Sequence, residues 1–440
     1  MKRFLSLALV VVSLVCLVAC GSNSSNTSND TPTNTNTETN TNTDSNTSVE
    51  TIKIGLLTDR SGEYALLGVQ KHAAAMLAVK EINDAGGVLG KQIEVIDPDA
   101  QSTTTRYQEL ARQLVFEDKV AAVFGAAASM DREAIRPIFE ENKMVYFYNN
   151  QYEGGVASKY TFCTGLVSEQ QVVPMMQYMI KTYGPKYYII AADYNAGTEL
   201  ANWVEYVGVE ENGAECVGEE FVPTGVSEFS ASIDKIKAAN ADFLVIGLVG
   251  ASQSSFFAQY STSGLNLPMC STFVGLQYYE HKRFDPPALA NLNLTCNYTE
   301  EMASVSEDAA RFVKDVRTID SSLEYVGMEA ANEYIGIHMW AKAVEQAGTV
   351  ESDAVVAALE SGITLENMPS GTVTLDGATH HCIQDVWSAH IDENHDMIFD
   401  QKFEQVRPYW LSDVMGVDLR KENANKQFVI ADMLAMRENG

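Results

Sequence analysis

Ser129, Tyr148, Asn150, Tyr152, Glu153 and Tyr194 are the residues whose types and spacing could hold a small planar solute. Four of them fall in one run, Val145-Tyr-Phe-Tyr-Asn-Asn-Gln-Tyr-Glu-Gly154. Rings there can stack on a planar group, while amides and a carboxylate exchange hydrogen bonds with it. A dry pocket must pair every polar group, since an unpaired buried partner costs about 1–3 kcal/mol. Ser129 follows Gly125-Ala-Ala-Ala128 at the expected start of a helix, so the backbone at Ala127 and Ala128 is counted with it. The free amides of that first turn face the sheet edge. Ser129 reads equally as an N-cap or as a solute contact. Tyr148 can pack inward as a strand-end tyrosine, and Asn150 and Glu153 can serve a turn. Glu153 can accept two amide N–H groups or orient a neighbouring tyrosine. Gln170 reads as structural or solute-binding, Arg132 and Glu133 as surface or lobe-edge charges.

These residues need a scaffold that brings strand ends together. From Thr51 the pattern is strand, turn, helix, repeated. Thr51–Leu57 alternates as a strand, and Ala74, Leu77, Ala78 and Ile82 set a helix over about 70–84 that Gly86-Gly87 ends. Strands over 92–96, 121–124 and 144–148 alternate with helices over 104–116 and 131–141. The rhythm restarts near Lys186, with strands over 187–192, 215–221 and 243–247 and helices over 198–211, about 229–236 and 252–263. Such alternation indicates βαβ units, a parallel sheet and an α/β fold. Ligands in open α/β sheets bind beyond the carboxyl ends of the strands, where the Tyr148–Glu153 run and Tyr194 fall. Later helices over 307–318, 330–347 and 352–359 must pack on the first series. The closing stretch 372–403 reads as short strands with turns at Asp376-Gly377 and Asp392-Glu393-Asn394.

Residues 1–20 read as an address: Lys2 and Arg3, an apolar run from Leu5 to Val18, then Leu17-Val18-Ala19-Cys20. That ending resembles a bacterial lipobox, which implies lipidation of Cys20 and a membrane anchor. Residues 21–49 are almost wholly Ser, Asn, Thr, Asp, Glu and Pro and read as a disordered tether, reaching on the order of 30 Å as a random coil. The body is acidic. Removing Lys2 and Arg3 takes the formal charge from −29 to −31, which excludes nucleic acid as a partner, because phosphate binding needs basic clusters. Five body cysteines (Cys163, Cys216, Cys270, Cys296, Cys382) are widely spaced, with no CxxC. They suit buried thiols, with a Cys270–Cys296 pair left open. His380-His381 point to opposite sides of a strand and make a poor chelate, so no metal or cofactor is expected. No GxSxG, HExxH or GxxxxGK[ST] pattern occurs in the body.

Several segments carry a family resemblance: Ser61-Gly62, Glu81-Ile-Asn-Asp-Ala-Gly-Gly-Val-Leu-Gly90, Asp118–Gly125, Gln151-Tyr152-Glu153-Gly154, Ala192-Asp193-Tyr194, Phe256-Phe257, Trp340–Gly348 and His380-His381. Together, from about Lys53 to Phe399, they resemble the urea and short-chain amide receptors of ABC transporters, type I periplasmic binding proteins akin to branched-chain amino acid receptors. The resemblance implies two Rossmann-like lobes joined by a three-strand hinge. Lobe one is 51–168 plus 302–372, lobe two 169–301 plus 373–425, with 426–440 a tail. It also implies that Ser129 contacts solute. The sequence departs from those receptors at Ala127 and Ala196-Gly197, where they carry large rings, and at Asn149-Asn150, where they carry an apolar pair. A larger or more polar amide, or an amino-acid-like solute, is the consequence. An amino acid would set its carboxylate at the Ser129 helix start and its ammonium on Glu153.

The expected function is therefore a lipid-anchored, extracytoplasmic receptor. It closes over urea, a short amide or an amino-acid-like solute and delivers it to an ABC permease. A sensor coupled to a membrane signalling partner and a secreted amide hydrolase are the alternatives.

Overall fold

Why the chain forms a parallel sheet is visible in its first unit. Alternating Ile52, Ile54 and Leu56 are buried in β1 (Thr51–Leu57), and α1 (Ala65–Asp84) covers them with Ala74, Leu77 and Ala78. The computed structural model describes residues 50–438 apart from 224 and 273–279. The expected leader 1–20 with Cys20, and the tether 21–49, lie outside the described residues.

The first half continues with β2 (Gln92–Ile96), α2 (Thr104–Gln113), β3 (Ala122–Gly125), α3 (Ser129–Glu141), β4 (Val145–Tyr148), β5 (Val156–Ser158) and β6 (Thr161–Cys163). Its strands run β2-β1-β3-β4-β6, all parallel. The second half holds α4 (Ser168–Tyr183), β7 (Lys186–Ala192), α5 (Asn195–Glu205), β8 (Glu215–Val222), α6 (Ser230–Ala239), β9 (Phe243–Gly247), α7 (Gly250–Thr262), β10 (Met269–Ser271), α8 (Glu280–Arg283) and β11 (Leu292–Cys296). Its order β11-β10-β9-β7-β8 is again parallel. The chain then returns to the first half as α9 (Glu307–Ile319), α10 (Met328–Ala347) and α11 (Ser352–Glu360), and α10 packs along α1. Helices thus lie on both faces of each half, over separate apolar cores.

The last strands are β12 (Thr364–Met368), β13 (Gly371–Asp376), β14 (His381–Ile391), β15 (Met397–Val406) and β16 (Asn425–Gln427), followed by α12 (Ile430–Glu438). Both expected turns form: Asp376 Oδ1 accepts Ala378 N at 2.9 Å and Asp392 Oδ1 accepts Asn394 N at 2.8 Å. The strands on either side of the second turn are not short, as expected from sequence, but 11 and 10 residues long. The reason is tertiary. β14 pairs with β13 and β6 at its start and with β11 from Trp387 to His390, so one strand belongs to both halves. Its register with β15 slips between Gln384 and Val386, at the crossing. The second series also begins earlier than Lys186, with α4, whose Pro174 sits inside the helix and masks it as a stop signal. Cys270 and Cys296 are both buried free thiols.

Candidate functional site

Beyond β3 the chain turns through Gly125 and Ala126, both at positive φ (+118° and +71°). A side chain at 125 would put its Cβ 2.3 Å from the Leu57 carbonyl oxygen, so glycine is required there. Three successive carbonyls of this turn are fixed by side chains. Tyr146 Oη donates to Gly125 O at 3.1 Å and Lys71 Nζ to Ala126 O at 2.9 Å. Ala127 O accepts from Tyr148 Oη at 3.0 Å and Asn150 Nδ2 at 2.5 Å. Lys71, wholly buried, also donates to Asn150 Oδ1 at 2.7 Å and lies 3.3 Å from Glu333. The strained turn is thereby locked, and with it the direction of α3.

Ala128, in extended geometry, is the N-cap of α3, and Ser129 is its first residue. The N-cap reading of Ser129 is corrected accordingly. Its hydroxyl donates to Glu153 Oε2 at 2.7 Å instead. The amides of Ser129 and Met130 have no partner within the helix. Glu153 Oε1 accepts Arg132 Nη2 at 3.0 Å and Gln427 Nε2 at 2.6 Å. Burial pushes the Glu153 carboxyl up, but the Arg132 guanidinium and the Ser129 and Gln427 hydrogen bonds outweigh it and hold it below the usual range. It is an ionised acceptor.

Arg132, expected as a surface or lobe-edge charge, is not on the surface: its exposure is 0%. Its guanidinium lies 4.8 Å from the Tyr148 ring centre and 4.4 Å from that of Tyr152, a cation–π contact with each; the two rings themselves meet edge to face, 5.6 Å apart. Tyr148 is buried, its hydroxyl spent on Ala127 O. Tyr152 Oη is bonded to His381 Nε2, while His381 Nδ1 meets Thr379 O at 2.7 Å. Burial lowers the His381 pKa to about 4, so the ring is neutral. It donates from Nδ1 and accepts from the tyrosine. His380 instead meets Glu360, and among the described residues no three side chains are grouped to hold a metal.

Tyr194 stands at the N-terminus of α5, 38% exposed. Burial, then the charge of Glu153 and the presence of Tyr64, push its phenol up to about 12. Tyr194 of the second half therefore lies within electrostatic reach of Glu153 in the first. A direct contact between the halves is made by Gln151, whose Nε2 donates to Thr272 O at 3.1 Å. Gln170 donates to Cys382 O at 3.0 Å and Val406 O at 2.7 Å, a structural role beside the crossing strand.

The structure thus gathers Ala127, Ala128, Ser129 and Glu153 into one group, sets Tyr148 and Tyr152 against the Arg132 that holds Glu153, and leaves Tyr194 within electrostatic reach of that carboxylate. Asn150 lies underneath, holding the turn with Lys71. Sequence reasoning missed Lys71, Arg132 and Gln427. The first two left a signal: Lys71 shares the apolar stripe of Leu67, Ala74 and Ala78, and Arg132 that of Ile135 and Phe139. Gln427 left none.

The periplasmic binding protein family matches residues 51–396. The leucine-, isoleucine-, valine-, threonine- and alanine-binding protein of Pseudomonas aeruginosa is 24% identical over 75% of this chain and 87% of its own length. A Leu/Ile/Val-binding protein homologue of Brucella melitensis is 30% identical over 48% of this chain and 56% of its own. The fold also matches a Streptococcus pneumoniae branched-chain amino acid transporter binding protein solved with isoleucine. That match has a TM-score of 0.67 and 23% identity, and covers 82% of this chain and all of that one. Among the described residues no helix is long and apolar enough to cross a membrane.

Proposed function

Because the chain belongs to the periplasmic binding protein family, a family of extracytoplasmic solute receptors rather than enzymes, we propose that it takes a small amide or amino-acid-like solute and delivers it to an ABC permease. The two halves act as lobes that close on the solute, and lipidated Cys20 tethers the receptor to the membrane. The observation that carries this reading is Glu153, an ionised carboxylate beside the first-turn amides of α3 and within electrostatic reach of Tyr194. A solute with an acceptor end and a donor end fits that polarity. An amino acid's carboxylate meets the Ser129 and Met130 amides and its ammonium meets Glu153, while an amide presents its N–H groups to Glu153. The name of the Pseudomonas relative, a binder of leucine, isoleucine, valine, threonine and alanine, supports the amino-acid reading. Urea and short amides fit the acceptor geometry as well. A ligand touching both lobes stabilises only the closed form.

A thermal-shift screen of the purified chain against urea, acetamide, propionamide and the aliphatic amino acids tests this. One of them raises Tm by mass action, and Glu153→Gln weakens it about tenfold or more, the loss of one hydrogen bond to a charged group. A set of solutes that all leave Tm unmoved, or a shift that Glu153→Gln leaves intact, refutes the assignment.

A further inference from the structure

The segment Asn425–Glu438 touches both halves. β16 pairs antiparallel with β5, Asn425 opposite Ser158 and Gln427 opposite Val156, and Phe428 N donates to Gly155 O at 2.8 Å. Gly155 has φ +83°, and a Cβ there would lie 2.0 Å from Phe428 O, so the close approach depends on glycine. On the far side Ile430 N donates to Glu199 Oε2 of α5 at 3.1 Å, and the Ile430 side chain is buried with Trp203, Val207 and Trp410. The segment is a strap from the first half to the second.

At the middle of the strap stands a primary carboxamide. Gln427 Oε1 accepts Arg132 Nη2 at 3.0 Å, and Gln427 Nε2 donates to Glu153 Oε1 at 2.6 Å and to Gly154 O at 3.0 Å. Guanidinium on the carbonyl and a carboxylate plus a backbone carbonyl on the NH2 is a complete reading of an amide: both N–H bonds are used and the oxygen is charge-assisted. Glu153 is also the acceptor assigned above to the solute. We propose that Gln427 is an internal stand-in for the solute: its carboxamide occupies a carboxamide subsite formed by Arg132, Glu153 and the Gly154 carbonyl, and an incoming primary amide displaces it. This rests on the proposed function and adds to it a ligand class and a competitor built into the chain. A tethered group acts at an effective concentration on the order of millimolar, so Gln427 sets a threshold that weak or dilute amides do not pass. Because the strap spans both halves, displacement also loosens a contact between them.

Calorimetric titration of the full chain with acetamide, compared with Gln427→Ala, tests this. Gln427→Met, which fills the space without hydrogen-bonding, serves if the alanine variant is poorly folded. Removing the internal amide tightens acetamide binding about tenfold, and L-isoleucine, which carries no carboxamide, gains less. Acetamide affinity unchanged or weakened in both variants overturns the proposal and makes Gln427 a fixed wall. Failure of wild type and variants alike to bind acetamide, while an amino acid still binds through Glu153, overturns it and leaves the receptor function standing. Absence of binding by every solute in the panel removes both.

Discussion

Glu153 and Glu329 are both carboxylates withdrawn from water in the same part of the first half, and they differ in charge. Glu153 has Arg132, Ser129 and Gln427 as donors and stays ionised. Glu329, in the first turn of α10 and 1% exposed, has no hydrogen-bond partner of normal geometry on either oxygen. Burial raises its pKa to about 8, and backbone amides and the more distant Lys71 offset this only in part. Lys71 is committed to Glu333, Asn150 and Ala126. Burial by itself therefore does not decide whether a carboxyl is charged; the cation assigned to it does. The site has an acceptor because one arginine is folded inward behind it.

The comparison breaks first at that arginine. Arg132→Leu leaves Glu153 buried without its cation and should cost about 3–5 kcal/mol, read from chemical denaturation, and should erase any solute-induced Tm shift. A loss below about 1 kcal/mol would mean that Glu153 is solvated and the contrast is wrong.

The side without a close cation is sharpened by pH. Glu329 and Glu169, the latter raised to about 7 by burial in α4, bind protons more tightly folded than unfolded. Their neutral forms favour the fold, so stability falls as pH rises from about 4.5 through 7 and 8, by about 1.4 kcal/mol per unit for each group in its window. His381 has the opposite sign: with its folded pKa lowered to about 4, stability falls as pH drops from about 6.5 to 4. Glu329→Gln should stabilise the chain at pH 8 by about 2 kcal/mol and flatten the alkaline slope. An unchanged slope in a denaturation series over pH 5–8 would show Glu329 to be charged.

Smaller effects follow within the site. Ser129→Ala removes one donor to Glu153 and should cost about 1–2 kcal/mol while weakening solute binding. Tyr194→Ala, at an exposed position, should change stability by less than about 0.5 kcal/mol yet lower solute affinity. A stability loss as large as that of Ser129→Ala would assign Tyr194 to packing rather than to the cleft.

Much of the scaffold could be read from local pattern. Ile52, Ile54 and Leu56 alternate, Ala74, Leu77 and Ala78 recur at helical spacing, and the aspartates at 376 and 392 make the turns they announce. The long β14 could not be read that way, because its two ends answer to different sheets. Pro174 concealed α4 for a local reason that tertiary packing overrides. In the site, residue types were informative and their partners were not. Tyr148 and Asn150 fall beside the candidate turn but spend their polar groups on Ala127 O, and Gln427 comes from 274 residues beyond Glu153.

The sequence by itself determined the α/β alternation, the places where strands end in polar and aromatic residues, and the acidic balance of the chain. These depend on neighbours within a few positions, where the periods of helix and strand act. Only the tertiary structure decided that Arg132 turns inward, that Glu153 keeps its charge while Glu329 does not, and that a glutamine from the strap lies on the acceptor. Those outcomes depend on which groups meet after burial, when a single partner at about 3 Å outweighs the local preference of any residue.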